Sequence, residues 1–364
     1  MSQSTSFQKK GKSKVPPIQG TKPSIHNAQL LISSGVPSLD YVFGGGIPVG
    51  TVMLVEEDKY GTFSKFIMKY FLAEGVVCGH SVIAASQDVD PEAVVAELPA
   101  MVQEDDSEPS NSSTADEKMK IAWRYQNIKP GIPSQSRTSF GHNYDLSRTM
   151  DLETIKTANI LYWHGSQCQP TESSGHFAEA GYGQLLEFIR DHVEEGGFSV
   201  HVNPEHRSIL RVGVTSIGSP LWGPVEDISD LCHFLYCLRS LIRSAFGVCL
   251  LTLPWHLFEP ISGAVERFEH LVDYVVRLEA WEGDVLPALR DYNGLLHLRK
   301  LPAINTLAPH IPESLDLAFR LRRKKFVIQK LHLPPELQES TEREQDELIE
   351  PSGSRLPCGK ALDF

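Results

Sequence analysis

Ser34-Gly35-Val36-Pro37-Ser38-Leu39-Asp40 and Gly44-Gly45-Gly46-Ile47-Pro48-Val49-Gly50 lead into Thr51-Val52-Met53-Leu54-Val55, which exits through Glu56-Glu57-Asp58-Lys59-Tyr60-Gly61-Thr62-Phe63-Ser64. The run 51–55 is continuously apolar, rich in β-branched residues, and bounded by Gly50 and by charge. That pattern predicts a strand buried on both faces, the central position of a parallel sheet. Downstream, residues 64–72 place Phe66, Ile67, Tyr70 and Phe71 on one helical face. Residues 81–85 read as the next strand. Residues 91–98 read as the next helix, with Asp90 as N-cap and Pro91 at the first helical position. Strand–helix alternation of this kind predicts a doubly wound α/β sheet. It resumes with helices over 181–195 and 229–246 and strands over 208–217 and 248–253. Late strands are expected over 270–278, 294–301 and 325–333.

Composition bounds the function. The chain has 364 residues, 41% hydrophobic and 22% charged, enough to bury a full core without disulfide or metal. Its net charge of −12 excludes coating nucleic acid by overall charge and leaves only local basic patches for that purpose. The six cysteines form no CxxC pair, and the fourteen histidines show no HxxxH spacing, so no metal or cofactor is assigned. The longest apolar stretch, about 246–258, contains Pro254 and His256 and is too short to span a membrane. The N-terminal residues carry no apolar run, so no signal peptide is expected, and the chain reads as a soluble protein of a reducing compartment. The chain divides into a disordered basic arm over 1–27, a domain over 28–333 with an irregular insertion at about 101–150, and an acidic, flexible tail over 334–364.

The segment 34–50 resembles the entry to the first core strand of RecA-like ATPases of the KaiC and recombinase type. The Leu39-Asp40 pair, the triple glycine and Gly50 all fall in register. The resemblance implies a phosphate loop directly after Glu56. The pattern GxxxxGK[ST] requires glycines that let the backbone wrap phosphate, a lysine on the β and γ oxygens, and a hydroxyl for Mg²⁺. This chain supplies Glu57, Asp58, Thr62, Phe63 and Ser64 in that register, and only the serine fits. A carboxylate about 4 Å from a phosphate charge costs about 1–4 kcal/mol, so these acids oppose a triphosphate. The resemblance also calls for a Mg²⁺-holding acid near Val214, where Thr215 and Ser216 stand. It calls for a water-activating Glu after residue 85, where Ser86, Gln87 and Asp88 stand. The expectation is a RecA-like, mostly parallel doubly wound sheet lacking a functional P-loop. The alternative is a nucleotide-dependent RecA/KaiC-like ATPase with an unconventional site built on Ser64, Lys59 and Lys65.

Further blocks are similar to the PAXNEB family of Elongator subunits. They are Val55 to Tyr60, Lys69 to Gly75, Lys120 to Tyr125, Phe140-Gly141-His142 with Tyr144-Asp145, Gly218 to Gly223, Leu331 to Pro335, and the terminal Leu362-Asp363-Phe364. The resemblance implies a RecA-like subunit without a P-loop. It implies a heterohexameric ring with Elongator subunits five and six, two copies of each, that binds tRNA and joins subunits one to three. The complex places a carboxymethyl-type group on carbon five of the wobble uridine. Catalysis belongs to subunit three, so this chain is expected to be an accessory subunit and not an enzyme. Cytoplasm and nucleus are the expected locations, with no membrane association.

Several residues are candidates for tRNA or subunit contacts. Arg320, Arg322, Arg323, Lys324 and Lys325 put five cations into six positions, a pattern suited to phosphate. A solvated hairpin or a nuclear localisation patch has the same composition. Arg207 and Arg211 flank the 208–217 strand. Trp222, in the loop 218–223, has the side chain to stack on a base, although packing against the core is the plainer expectation. Arg148, with Lys129, Arg137 and His142, lies in the irregular 127–150 segment. Arg239 and Arg243, four apart on a helix, are candidates to act in trans at a neighbour's nucleotide, against the plainer reading of a polar helix face.

Overall fold

The computed structural model describes residues 18–24, 29–102, 140–165, 177–202, 204, 206–283, 287–308 and 310–331. The strands are β1 (Thr21–Pro23), β2 (Leu30–Ile32), β3 (Ile47–Pro48), β4 (Thr51–Glu56), β5 (Ser81–Ser86), β6 (Pro99–Met101), β7 (Tyr144–Thr149) and β8 (Ile160–His164). They continue with β9 (Leu210–Thr215), β10 (Gly247–Leu253), β11 (Tyr274–Ala280), β12 (Gly294–Lys300), β13 (Leu317–Leu321) and β14 (Phe326–Lys330). The helices are α1 (Pro37–Val42), α2 (Ser64–Val77), α3 (Pro91–Ala96), α4 (Leu152–Thr157), α5 (Ala180–Glu195), α6 (Ser229–Arg243) and α7 (Ala264–Leu271).

Nine strands form one sheet in the order β14-β13-β12-β11-β4-β10-β9-β5-β8. From β11 to β8 every pairing is parallel; β12, β13 and β14 extend one edge antiparallel. The apolar run 51–55 occupies β4, between β10 and β11. Its side chains alternate between two cores. Met53 and Val55 pack with Ile67 and Phe71 of α2. Val52 and Leu54 pack with Leu185 of α5, Phe234 of α6 and Phe268 of α7. Helices on both faces explain why the strand shows no polar alternation. The mostly parallel, doubly wound architecture expected from the sequence is therefore present and compatible with a RecA-like fold.

The triple glycine has a steric basis. Gly46 sits at φ 134°, and a Cβ there would lie 2.5 Å from the Ile32 carbonyl oxygen. Only glycine lets β2 and β3 approach this closely.

Three segments differ from the sequence reading. Residues 21–23 form β1, paired with β2, inside the segment expected to be a disordered arm; backbone pairing with a buried apolar strand orders them. Residues 264–271 are helix α7, so the strand expected over 270–278 begins only at Tyr274: Val265 and Phe268, three apart, face the core as helical spacing demands. Residues 144–149 form β7, which pairs with β6 across the irregular insertion. Lys129, Arg137 and the tail expected over 334–364 lie outside the described residues.

Candidate functional site

The loop leaving β4 turns its acids inward. The Asp58 carboxylate accepts the backbone N–H of Thr62 at 2.9 Å, of Phe63 at 2.8 Å and of Ser64 at 3.3 Å. These amides open α2, where the macrodipole favours a negative group. Glu57 is buried and accepts the Ser216 hydroxyl at 2.9 Å. Burial pushes its carboxyl above the usual range, against the pull of the Thr252 and Ser216 hydroxyls. Glu56, fully buried, is held by Arg277 Nε. Thr62 is exposed and Phe63 half-buried, while Ser64 is buried in the first turn of α2.

Arg211 is not a surface contact. It is fully buried, and Nε donates to His80 Nδ1 at 3.0 Å while Nη1 donates to the carbonyls of Ser33 at 2.9 Å and Phe71 at 3.1 Å. Gly75 makes room for it; a Cβ there would lie 2.8 Å from Arg211 Cδ. The guanidinium faces a buried carboxylate, Glu74, which accepts Tyr144 Oη at 2.6 Å and the ring Nδ1 of His142 at 3.1 Å. Burial alone would raise the Glu74 carboxyl, but the His142 hydrogen bond, the Arg211 charge and the Tyr144 hydroxyl outweigh it and hold it at about 2. The sequence reading made Arg211 a candidate tRNA or subunit contact because a lone arginine in an apolar strand gives no sign of its remote acid.

Donor atoms of Glu74, Cys78 and His142 lie within 4.8 Å of one another. The carboxylate is already saturated by protein donors, and burial and Glu74 push the Cys78 thiol up to about 12. The set therefore behaves as a closed hydrogen-bonded cluster beside a buried cation, a poor environment for a metal ion.

Trp222 is also interior. It stacks between Trp163, at 5.5 Å between ring centroids, and Tyr182, at 5.1 Å, and is 1% exposed. Base stacking by this side chain is ruled out in this conformation. Arg207 stacks 4.0 Å over the Phe246 ring and donates to the Val202 carbonyl. Arg239 and Arg243 both pair with Asp273, at 3.1 and 2.7 Å, so their charge is engaged within the chain.

The basic run is different. Arg322, Arg323, Lys324 and Lys325 form the exposed turn between β13 and β14, closed by Arg322 N–H to the Lys325 carbonyl at 2.8 Å. None of the four forms an ion pair among the described residues; Arg320, on β13, pairs with Asp291 at 3.2 Å. The Lys324 carbonyl accepts the Leu146 N–H at 2.7 Å, which ties the turn to β7. A cavity of about 670 Å³ lies between them, lined by Arg148, Lys324, Lys325, Asp145, Tyr70 and Phe326, among others. The structure thus brings together Arg148 and the run near 320, which the sequence could only nominate separately. The Ser147 hydrogen bonds hold the Asp145 carboxyl below the usual range, with Lys324 and Arg148 adding to the effect.

Residues 14–364 match the model of the PAXNEB protein family. The chain belongs to the PAXNEB family. It is 42% identical to Elongator complex protein 4 of Danio rerio over 93% of this chain and 90% of that protein. Identity to Elongator complex protein 4 of Homo sapiens is 40%, over 99% and 94% of the two chains. Identity to the protein of the same name in Saccharomyces cerevisiae is 22%, over 86% and 76%. In this PAXNEB chain, two of the sequence blocks that carry the resemblance meet in space. Glu74, in the block Lys69 to Gly75, bonds His142 and Tyr144, in the block that begins at Phe140. No described helix is long and apolar enough to cross a membrane.

Proposed function

We propose that this chain is a non-catalytic subunit of the Elongator complex. It assembles with subunits five and six into a heterohexameric RecA-like ring, joins subunits one to three, and contributes to tRNA binding during wobble-uridine modification in cytoplasm and nucleus. Membership is supported by its relatives' names and by near-complete coverage of their length. The observation that carries the tRNA part is the exposed turn 322–325 beside Arg148. Four cations held in one place and not spent on ion pairs among the described residues form a phosphate-binding footprint on a chain of net charge −12.

The non-catalytic part is supported by Asp58. Its carboxylate takes the α2 amides that a phosphate would need, and Glu57 adds a second negative group within the same loop. Both must be displaced before a triphosphate binds. Titration of labelled ATP into the purified chain is expected to give no saturable signal. Saturable binding abolished by Lys65→Ala would overturn this reading in favour of an ATPase.

For tRNA, the informative measurement is affinity in the assembled complex carrying Arg322→Glu and Arg323→Glu. Losing two phosphate contacts and gaining two repulsive charges is expected to weaken binding at least about tenfold at low salt. Unchanged affinity would make this chain a scaffold whose neighbours hold the RNA.

A further inference from the structure

The cavity beside the basic turn is charged one way. Its wall carries Arg148, Lys324 and Lys325 against one carboxylate, Asp145. That carboxylate is engaged, accepting the Ser147 backbone N–H at 2.8 Å and the Ser147 hydroxyl at 2.5 Å. Arg322 and Arg323, exposed in the same turn, add two cations. Like charges gathered this closely repel one another, and an anion tethered within reach is drawn to them.

The chain carries such an anion beyond the strand that leaves the turn. β14 runs away from Lys325, and the last described residue is Leu331. Residues 332–364 follow, outside the described residues, and their sequence complements the turn. Glu336, Glu339, Glu342, Glu344, Asp346, Glu347 and Glu350 put seven carboxylates into fifteen positions, with Arg343 the one permanent cation among them. Pro334 and Pro335, just before this run, have no N–H with which to prolong the β14 ladder.

Reach decides whether the two can meet. Leu331 lies six positions beyond Lys325, about 20 Å at about 3.3 Å per strand residue. From Leu331, an extended chain covers about 17 Å by Glu336 and about 60 Å by Glu350. The acidic run therefore spans the distance back to the turn. A tether this short holds acids and cations at an effective concentration on the order of millimolar. Each exposed ion pair is weak and screened by salt, but several on one tether act together.

We propose that residues 336–350 dock on the turn 322–325 and its cavity, and hold the cations until RNA phosphates displace them. The docking stands on charge and reach; the displacement rests on the reading that the turn contacts tRNA. A few stray phosphates compete poorly with tethered acids, so the segment raises the threshold for non-specific RNA at this surface.

The test uses the full chain, mixed in equal parts with and without nitrogen-15, and a water-soluble carbodiimide, which joins a carboxylate to an amine in direct contact. The expected result is amide cross-links from Lys324 or Lys325 to acids within 336–350, found by mass spectrometry as pairs of one isotope. They should fade at about 1 M salt, where the screening length is about 3 Å. No such link, or links only between chains, would overturn the docking. Affinity for tRNA is then read in the assembled complex. Glu342→Gln, Glu344→Gln, Asp346→Asn and Glu347→Gln together should tighten binding about fivefold at low salt, and should add nothing once Arg322→Glu and Arg323→Glu are present. Glu104→Gln, Asp105→Asn, Asp106→Asn and Glu108→Gln make the same change in net charge elsewhere, and an equal gain from them would overturn the contact with 336–350. Cross-links with the turn variant weakening tRNA and the acidic-run variant leaving it unchanged would overturn the displacement alone. Cross-links with neither variant altering affinity would keep the docking and overturn the tRNA reading of the turn, so the two failures are told apart.

Discussion

The turn 322–325 and the β4 exit loop are both densely charged, and they treat charge in opposite ways. In the turn, four cations stand in solvent without internal ion pairs among the described residues. At the β4 exit, Glu56, Glu57 and Asp58 are each buried and each bound by the chain's own donors. Desolvated charges are costly unless paired, so the loop's acids and their partners are committed to the fold. Solvated cations cost the fold little and remain available to something else. Charge density in the sequence is therefore a poor guide to binding; what separates the two regions is whether each charge already has an internal partner.

The largest expected effect tests that distinction in the interior. Arg277→Ala leaves the Glu56 carboxylate buried without its cation, and is expected to cost about 3–5 kcal/mol in urea unfolding. Arg277→Ala unfolding no more easily than a turn variant would dissolve the contrast, because Glu56 would then have found water or another partner.

Acid should expose the same interior. Burial, with the Arg211 charge adding, lowers the His80 ring to about 3. Unfolded histidine titrates near about 6.5, so below that pH the unfolded chain binds a proton that the folded chain refuses. The His80 contribution is full above about 6.5 and is lost as pH falls toward 3. Glu74, held at about 2, acts in the same direction lower down: its contribution is present above an unfolded value near about 4.3 and is lost below it. His142 runs the other way. Its hydrogen bond to Glu74 raises its pKa, so its stabilisation is present below about 6.5 and fades as pH rises through the folded value. Thermal midpoints measured from neutral pH downward should fall, and His80→Gln should flatten the upper part of that fall. An unchanged profile in the variant would place the acid sensitivity elsewhere.

A smaller effect belongs to Asp58. Asp58→Ala removes the carboxylate from three α2 amides and should cost about 0.5–2 kcal/mol, the range of a helix cap. It should leave tRNA affinity untouched. A drop in affinity with normal stability would mean that the loop, and not only the turn, faces the RNA.

Much of the fold was legible because it is written locally. The run 51–55 announces a strand covered on both faces, and the glycines before it announce a turn, although the close approach of β2 and β3 that Gly46 permits shows only in the folded chain. The interior polar network was not legible. Arg211 and Glu74 are 137 positions apart in the chain, and nothing near either residue marks it as one half of a pair. Trp222 offered a stacking platform beside the plainer reading of a packing residue, and its contacts with the Trp163 and Tyr182 rings decide for packing. The basic run was legible as composition. That it lies against β7, where Arg148 joins it, depends on a backbone contact between Leu146 and Lys324 that only the folded chain makes.

The smallest stability effect is also the one that isolates the turn. Arg322→Ala with Arg323→Ala touches exposed side chains with no internal ion pair among the described residues, so the change in unfolding free energy should stay within about 0.5 kcal/mol. Its effect on tRNA binding should appear in the salt dependence. Each phosphate contact to a single strand contributes about 0.7, and to a duplex about 0.9, to the slope of log affinity against log salt. Loss of two contacts should therefore flatten the slope by about 1.4–1.8. A drop in affinity with an unaltered slope would mean that the turn acts through the shape of the neighbouring cavity and not by neutralising phosphate. Arg148→Ala, at the same cavity, would then be the variant that reproduces the loss.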